Sequence, residues 1–379
     1  MKQFIALFLS AICFLSCKKE IDTTPPLKKA LNSTSPNIKR VIDSLEQHEV
    51  QIKFTQIDRK NDSIVFTDYS FQSDSNNYFY PASSVKLPVA ILALEKLNSI
   101  QNFDRNTTFY VEGDTIETTM AIEIAKIFAI SDNKAYNRLF EFLGQDEINT
   151  RLKNKGIENV RISHRIATLN ADEITTKPLI FYLNDSTTTY LKKIINTPLQ
   201  SLKLNQIKKG DAHIDEDDEL LNEPFDFSLK NYYSINAQHQ VLKRILFPEK
   251  FSNQERFNIT EKQREFILNA IQSLPKDLGY TSDEYYDSYA KFFMFGDSKK
   301  PIPANIKIYN KIGYAYGTLT DCAYIKDIDN NIEFLLTATI LVNKNHTFND
   351  DNYEYDVVGI PFMAELGREL YTSELERKK

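Results

Sequence analysis

The sequence predicts an α+β fold in which an antiparallel sheet is flanked by helices and accompanied by an all-helical region. Strand patterns lie near both ends of the chain and helical patterns fill its middle, which is the arrangement expected when terminal strands share one sheet. Hydrophobic residues make up 42% of the 379 residues and aromatic residues 12%. This composition supports a packed core and excludes disordered and fibrous classes.

The first half of the chain begins with a helix and two strands. Apolar residues recur at i, i+3, i+4 and i+7 from residue 38, which predicts a helix that opens at Asn37. Residues 50–58 and 63–68 alternate in polarity and predict two strands paired around a polar turn. Two further helices are predicted, one that begins near Ser83 and one that contains residues 122–129.

The second half returns to strands. Residues 306–309, 323–327 and 332–342 are rich in β-branched and aromatic side chains and predict strands. A last helix is predicted over residues 359–371. Strands at both ends of the chain therefore favour one antiparallel sheet that packs against helices.

Charge and motif content exclude several classes of function. The chain has 46 Lys and Arg against 52 Asp and Glu, a net charge of −6, which gives no reason to expect a nucleic-acid partner. Its 10 glycines form no phosphate-binding loop motif, and its five histidines form no metal-binding motif. We therefore expect neither a cofactor nor a metal. The absence of G-x-S-x-G argues against an α/β-hydrolase.

The N-terminus predicts export. One lysine precedes an apolar run at residues 4–14, which is shorter than the ~20 residues of a membrane span and is typical of a signal peptide over residues 1–16. The run leads into Leu15, Ser16 and Cys17, which charged residues follow at once, so it resembles a bacterial lipoprotein signal. This resemblance implies lipidation of Cys17 and attachment to a bacterial membrane, on the periplasmic side or at the cell surface. Ordinary cleavage that leaves Cys17 unmodified is the alternative.

The segment after the signal peptide is polar and contains several Thr, Ser and Pro residues. Residues 17–35 show no clear periodicity, so we predict a flexible tether. A single catalytic domain is predicted over residues 36–375. Once the signal peptide is removed and Cys17 is lipidated, Cys322 remains as a free thiol, and no disulfide is expected.

The first chemical motif is S-x-x-K at Ser83 and Lys86. On a helix, this spacing places a hydroxyl and an amine on one face, where a neutral lysine can take the proton of the serine nucleophile. Amide N–H groups at a helix start can also stabilise a developing oxyanion. The motif is weak alone, because S-x-x-K occurs five times in this chain.

Two further motifs follow in order. Residues 131–133 read Ser-Asp-Asn after the third helix, where the same residues could simply cap the next helix. Lys311, Ile312 and Gly313 follow a strand near the C-terminus, where a Gly-containing hairpin would explain them equally well. Taken singly, each motif has a structural explanation.

Together and in this order, the three motifs resemble the S-x-x-K, S-D-N and K-T-G signature of class A β-lactamases and penicillin-binding proteins. The resemblance extends from about Ile38 to Tyr371 and implies a β-lactamase/transpeptidase-like fold. It also implies that Ser83 becomes acylated, that Lys86 acts as base or proton relay, and that Ser131 bridges Lys86, Lys311 and the leaving nitrogen. The substrate-binding residues implied by the resemblance are Asn133, Asn170, Lys311, Gly313 and Tyr314, with the amides of Ser83 and Tyr314 as the oxyanion hole.

One departure concerns the water that releases the acyl group. Family members that hydrolyse β-lactams quickly carry a Glu in a stretch like E-x-E-L-N. Here Leu169 and Asn170 match that stretch, but Ile166 occupies the Glu position and cannot activate water. Asp172 and Glu173 lie close by and are either substitutes for that Glu or solvated loop carboxylates.

Two other departures concern the substrate. Ile312 stands where the family usually has Thr or Ser, which removes a hydroxyl that helps to hold a substrate carboxylate. An insertion is predicted at about residues 175–230, and it includes the acidic stretch 211–219. A solvated loop and a Ca²⁺ site are the two explanations of that stretch, and the loop is favoured because the motif spacing of a known Ca²⁺ loop is missing.

The sequence therefore predicts a serine hydrolase that acts on cyclic amides and breaks down β-lactam antibiotics through Ser83. The alternatives are a D,D-peptidase-like peptidoglycan enzyme and a β-lactam-binding lipoprotein whose turnover is impaired by Ile166. The expected partners are a small β-lactam or a peptidoglycan peptide, and the membrane through the lipid anchor. We expect the chain to be a monomer.

Overall fold

A five-stranded antiparallel sheet forms one half of the fold. The computed structural model describes residues 24–61, 63–184 and 186–378, so the predicted signal peptide 1–16 and the predicted lipidation site Cys17 lie outside the described residues. Within those ranges, none of the helices combines the length and the apolar character that a bilayer span requires.

Most helices lie in the middle of the chain, as the sequence predicts. The described residues contain α1 (Pro26–Leu31), α2 (Pro36–Ile42), α3 (Leu45–His48), α4 (Lys86–Leu97), α5 (Met120–Ala129), α6 (Asn133–Leu143), α7 (Gln145–Asn154), α8 (Ile235–Leu246), α9 (Glu261–Gln272) and α10 (Ile360–Lys378). Short 3₁₀ turns span Ala82–Val85, Pro248–Lys250 and Pro275–Leu278, and a π-helical turn at Tyr355–Gly359 leads into α10.

The long strands lie towards the two ends of the chain, and shorter ones lie between them. The strands are β1 (Gln51–Lys60), β2 (Ser63–Phe71), β3 (Thr108–Val111), β4 (Thr118–Thr119), β5 (Val160–Arg161), β6 (Leu179–Asn184), β7 (Thr187–Leu191), β8 (Lys208–Lys209), β9 (Ala212–Ile214), β10 (Leu220–Leu221), β11 (Phe225–Asp226), β12 (Tyr232–Tyr233), β13 (Ile306–Ala315), β14 (Thr318–Asp327), β15 (Ile332–Leu341) and β16 (Thr347–Phe348).

The main sheet joins the two ends of the chain. Its strand order is β13-β14-β15-β1-β2, and all of its neighbouring strands are antiparallel. The predicted α+β class with an antiparallel sheet is thereby confirmed. Strand β13 lies at one edge and is hydrogen-bonded to β14 alone, so one side of its backbone is free to face the residues that precede α4.

The turn between β13 and β14 fixes which groups β13 presents at this edge. Tyr316 and Gly317 form a two-residue loop with φ of 51° and 73°, as a type I′ hairpin requires. Ala315 and Thr318 therefore form the last hydrogen-bonded pair, and Tyr314 belongs to the next, non-hydrogen-bonded pair. The amide of Tyr314 consequently points away from β14, towards the free edge.

Helix α4 is the central element of the helical half. It is buried along nearly its whole length, in agreement with a sequence that is apolar around most of its circumference. It packs against α5 and α6, and its side chains belong to a large core that α8 and α9 also share. This burial fixes the start of α4, and with it Lys86, in a defined position.

The N-terminal segment is a helix that packs onto the C-terminal helix. Leu27, Ala30 and Leu31 of α1 are buried, and α1 contacts α10. The prediction of a flexible tether is therefore wrong for residues 26–31, because an i, i+3, i+4 apolar face lets this segment bury surface against the domain. Residues 17–23 of the predicted tether lie outside the described residues.

The predicted insertion at about residues 175–230 contains strands and loops, with no helix among its described residues. Phe225 and Phe227 from this segment join a cluster of aromatic rings with Tyr80 and Tyr316. Ring centroids lie 5.2 Å apart for Phe225 and Tyr316 and 5.5 Å apart for Phe227 and Tyr316. The segment thus packs against Tyr316 in the β13–β14 turn.

Candidate active site

Ser83 lies in the tight turn Ala82–Val85, directly before α4. Ala82 has a φ of +45°, a left-handed conformation that costs a residue with a Cβ about 1–3 kcal/mol. Surrounding contacts impose this strain, since such conformations persist only where the structure enforces them. Ser83 is half-buried and lines a cavity of about 620 Å³.

Lys86, the first residue of α4, lies behind Ser83 and is fully buried. Its Nζ donates to the carbonyl oxygen of Ser131 at 2.5 Å and to Oδ1 of Asn133 at 2.6 Å. Burial lowers the pKa of Lys86 to about 7, and the charge of Asp132 opposes that shift. A substantial fraction of this amine is therefore neutral near neutral pH and able to accept a proton.

Ser131 links the two motif lysines. Nζ of Lys311 donates to Oγ of Ser131 at 2.8 Å, and Nζ of Lys86 approaches the same oxygen at 3.4 Å. Ser131 has a φ of +57°, and Asp132 caps α6 by accepting from the amide of Ala135 at 2.7 Å. The helix-cap explanation of Ser-Asp-Asn is therefore correct for Asp132, while the residues on either side of it contact the lysines.

Lys311 lies on β13 and is 2% exposed. Burial lowers its pKa well below the ordinary value, and the nearby charge of Lys86 lowers it further, whereas Asp321 has the opposite effect. A second cation beside Lys86 is expected to lower the pKa of Lys86. In the structure, burial lowers the pKa of Lys86, whereas the repulsion between the two amines lowers the pKa of Lys311.

Strand β13 passes so close to the turn that only glycine fits at position 313. A Cβ on Gly313 would lie 2.5 Å from the carbonyl oxygen of Pro81 and 2.9 Å from the amide nitrogen of Ser83. The close approach sets β13, with the outward-pointing amide of Tyr314, beside the turn that carries the amide of Ser83. The two amides can together hold a developing oxyanion, as the resemblance implies.

A second polar network lies behind Lys311. Nζ of Lys291 donates to Oδ1 of Asn310 at 2.7 Å, and Nδ2 of Asn310 donates to Oδ1 of Asp321 at 2.8 Å. All three side chains are buried. Burial lowers the pKa of Lys291 to about 7 and raises that of Asp321 to about 6. These residues were not predicted from the sequence, although Lys291 ends one of the five S-x-x-K matches.

Ile166 faces the cavity at the position where the resemblance implies a carboxylate. Its backbone is held by Asn137, whose Oδ1 accepts from the Ile166 amide at 2.9 Å and whose Nδ2 donates to the Ile166 carbonyl at 2.9 Å. Because both the amide and the carbonyl of Ile166 are hydrogen-bonded, its side chain is held in the cavity wall. The wall therefore presents an apolar surface there.

A buried arginine anchors the 165–175 loop. Nε and Nη2 of Arg165 donate to the two carboxylate oxygens of Glu141 at 2.6 and 2.8 Å. The same guanidinium donates to the carbonyls of Glu173 at 2.8 Å and Thr175 at 3.0 Å. One side chain thus ties both ends of the loop to α6, and no sequence motif marks it.

Asn170 does not lie in the Ser83 cavity. Its side chain accepts from Oγ1 of Thr168 at 2.7 Å and lines a neighbouring depression. The prediction of Asn170 as a substrate-binding residue is therefore not supported by its position, because the loop turns this side chain outward. Asp172 and Glu173 do not line the cavity either, and Asp172 pairs with Lys230 at 3.2 Å.

His164 packs beneath the cavity wall. Its ring stacks on that of Tyr80 with centroids 6.2 Å apart, and its Nδ1 lies 2.6 Å from the carbonyl oxygen of Arg165. Burial lowers its pKa to about 4. In the described ranges, no group of three or more His, Cys, Asp or Glu side chains could hold a metal ion.

The structure brings most of the predicted site residues together. Ser83, Ser131, Asn133 and Tyr314 line the cavity, and Lys86 and Lys311 donate to Ser131 from behind it. A hydroxyl, a partly neutral amine and two converging amides are the groups needed for acyl transfer to serine.

Comparison with a family model supports this interpretation. The model of the Beta-lactamase enzyme family matches residues 34–256, more than half of the chain. The matched range includes Ser83, Lys86 and Ser131 but ends before Lys311. No curated protein matches the chain.

Solved structures show the same fold. The β-lactamase from Desulfarculus baarsii has a TM-score of 0.54 at 13% identity, covering 91% of this chain and 97% of that chain. The β-lactamase from Sphaerobacter thermophilus has a TM-score of 0.50 at 11% identity, covering 92% and 96%. The predicted β-lactamase/transpeptidase-like fold is thereby confirmed, and the chain belongs to the beta-lactamase enzyme family.

Proposed function

We propose that the protein is a class A-like serine β-lactamase that opens β-lactam rings through an acyl-enzyme on Ser83. The observation that carries the proposal is the buried amine of Lys86 at the start of α4, which shares Ser131 with Lys311 behind the cavity that Ser83 lines. Burial lowers the pKa of Lys86 to about 7, so this amine can act as a base. A base whose pKa lies near the working pH is the most effective general base.

In the acylation step, Ser83 Oγ bonds to the lactam carbonyl carbon while its proton passes to Lys86. The ring C–N bond then breaks, and the leaving nitrogen receives a proton through Ser131, which lies between the two lysines. Among the described residues, Lys86 donates to Ser131 and Asn133 rather than to Ser83. Contact between Ser83 and Lys86 therefore requires a side-chain rotation before proton transfer.

Lys311 supplies the recognition of an anionic substrate. Its amine lies beneath the floor of the cavity on Oγ of Ser131, and a substrate carboxylate placed there would favour its charged form. Ile312 adds no hydroxyl to this contact. We therefore expect Lys311 to contribute more to carboxylate binding here than in enzymes that have a Thr or Ser at that position.

Deacylation requires water to attack the acyl carbon, which breaks the bond to Ser83 Oγ and returns a proton to that oxygen. Ile166 cannot activate the water, and neither Asp172 nor Glu173 lines the cavity. This observation favours a second candidate, a D,D-peptidase-like enzyme that acylates on Ser83 and deacylates slowly. If deacylation is slower still, the protein is a β-lactam-binding lipoprotein with little turnover.

We also propose that Cys17 is lipidated and holds the domain at a bacterial membrane, which the lipoprotein-like signal supports. A Cys17→Ala variant expressed in a bacterial host is expected to leave the membrane fraction, while the wild-type chain stays there. Retention of the variant in the membrane fraction would contradict the lipid anchor.

The intact mass of the purified domain, followed over time with benzylpenicillin, tests the proposed function. A transient adduct with accumulating penicilloate supports hydrolysis, and a persistent adduct supports the peptidase-like candidate. The absence of both adduct and product refutes acylation. Ser99→Ala, a change in the exposed turn after α4, is the matched serine control and is expected to behave as wild type.

A further inference from the structure

Tyrosine rings form the outer wall of the Ser83 cavity. Tyr289, Tyr314, Tyr353 and Tyr355 come from three segments and all line the cavity. The rings of Tyr314 and Tyr355 meet edge to face with centroids 5.4 Å apart, and those of Tyr353 and Tyr355 lie 5.3 Å apart. Aromatic faces attract cations, so this wall suits a positively charged group.

The charged side chains that line the cavity are acidic. They are Asp132 and Asp351, and no Lys or Arg lines the cavity within the described ranges. The carboxylate of Asp132 is engaged in capping α6. Asp351 has no side-chain hydrogen bond or ion pair with another described residue, so its charge is available to a ligand that enters between the tyrosines.

The acidic stretch of the sequence lies beside the segment that carries Asp351. Six of the nine residues 211–219 are Asp or Glu, and they belong to a hairpin formed by β9 and β10, which we call the acidic hairpin. Strand β9 pairs with β16, and Nδ2 of Asn349 donates to the carbonyl of Ile214 at 2.8 Å. The hairpin is thus joined to the loop that carries Asp351.

The charges around the cavity differ in sign from one part to another. Lys86 and Lys311 donate to Ser131 behind the cavity, whereas Asp351 lines it and the acidic hairpin is joined to the loop that carries Asp351. Burial raises the pKa of Tyr316, and the charges of Asp172, Asp351 and Glu216 add to that effect. A cleft edged by one sign of charge concentrates ligands of the opposite sign.

We propose that this cavity prefers acyl donors that carry a positive charge on the acyl side chain, away from the reacting carbonyl. The proposal rests on the acylation proposed above and specifies its substrate class. The carboxylate of such a substrate binds towards Lys311, and its ammonium group lies between the tyrosines and Asp351. β-Lactams and peptides with an amino group in the acyl part fit this description.

Three penicillins that differ at one carbon test the proposal. Benzylpenicillin has a neutral side chain there, ampicillin carries an ammonium group and carbenicillin carries a carboxylate. We expect the second-order rate of acylation of the purified domain to be about fivefold higher for ampicillin than for benzylpenicillin at low salt. Carbenicillin is expected to be slower than benzylpenicillin by a similar factor.

Charge variants identify the source of the preference. Asp351→Asn is expected to bring the ampicillin to benzylpenicillin ratio close to one, and Glu216→Gln with Asp217→Asn is expected to lower it about twofold. Asp329→Asn makes the same charge change in the exposed turn at the opposite end of β14 and is the matched control. The control is expected to leave the ratio unchanged.

Salt and the neutral substrate separate the possible outcomes. Raising the salt from about 20 mM to about 500 mM is expected to reduce the ratio, since exposed charges are screened. Equal rates for the three penicillins, or a ratio that Asp351→Asn leaves unchanged, would overturn the preference while the acylation proposal stands. Failure of all three to acylate Ser83 would refute the proposed function itself.

Discussion

Gly313→Ala tests the contact that forms the proposed oxyanion hole. The new Cβ would lie 2.5 Å from the carbonyl oxygen of Pro81, whereas ordinary contact begins at 3.4 Å. The amides of Ser83 and Ser84 would lie 2.9 and 2.8 Å away, so the obstacle is backbone and not a flexible side chain. Strand β13 and the 82–85 turn must therefore separate by close to 1 Å.

The expected loss of activity follows from that displacement. A shift of about 1 Å in a reacting group can cost about 100-fold in rate, which corresponds to about 2.7 kcal/mol of activation free energy. Overpacking costs about 1–3 kcal/mol of unfolding free energy, which a domain of this size can tolerate. We expect a folded variant whose acylation by benzylpenicillin is about 100-fold slower.

Acyl-adduct formation by mass spectrometry and urea unfolding measure the two effects separately. Gly113→Ala is the control, because Gly113 has open space around its Cβ position and a φ of +83°. It is expected to lose about 1 kcal/mol of stability through strain alone and to acylate normally. Wild-type acylation by Gly313→Ala would refute the proposed role of the Ser83 and Tyr314 amides.

Three further changes have defined outcomes. The rate of acylation is expected to rise with pH through about 7, because Lys86 loses its proton there. Lys86→Arg stays charged and is expected to acylate at least about 100-fold more slowly. A pH profile of acylation that is unchanged in this variant would exclude Lys86 as the base. Arg165→Met leaves the carboxylate of Glu141 buried without its arginine partner, so urea unfolding should show a loss of about 3–5 kcal/mol in the free energy of unfolding. An undiminished free energy of unfolding would show that the Arg165–Glu141 pair does not anchor the loop. Burial lowers the pKa of His239 to about 3, below its unfolded value of about 6.5. The contribution of neutral His239 to the free energy of unfolding is therefore complete above pH ~6.5 and is lost as the pH falls towards 3. His239→Gln is therefore expected to reduce the slope of unfolding free energy against pH in that window, and an equal slope would contradict this assignment.

The convergence of the inner site could be predicted because each motif is tied to a local structural signal. Lys86 opens a helix that is apolar on nearly every face, Ser83 lies in the turn directly before it, and Ser131 follows another helix. Lys311 lies on β13, whose first residues, 306–309, the β-branched pattern predicts, and the strand continues past the predicted end to Ala315. The three motifs then come together because the strands at the two ends of the chain pair in one sheet, and the helices from the middle of the chain pack against that sheet.

The outer wall could not be predicted in the same way. Tyr289 and Tyr355 belong to separate segments, and a lone tyrosine carries no periodic signal of which surface it will line. The network of Lys291, Asn310 and Asp321 is equally hidden, since its members meet only through the tertiary packing of β13.

Local geometry explains where two sequence-based predictions depart from the structure. Asn170 matches a family position, but the loop held by Arg165 turns its side chain away from Ser83. Residues 17–35 are polar overall, yet Leu27, Ala30 and Leu31 form a short apolar face that follows Pro26 at the helix start. That spacing is a usable signal for a helix.

Mapping the adduct formed with benzylpenicillin tests the central claim most directly. We predict one penicilloyl group on the proteolytic peptide that contains Ser83, and neither adduct nor hydrolysis with Ser83→Ala. An adduct on another residue, or hydrolysis that survives in Ser83→Ala, would contradict the assignment of this site.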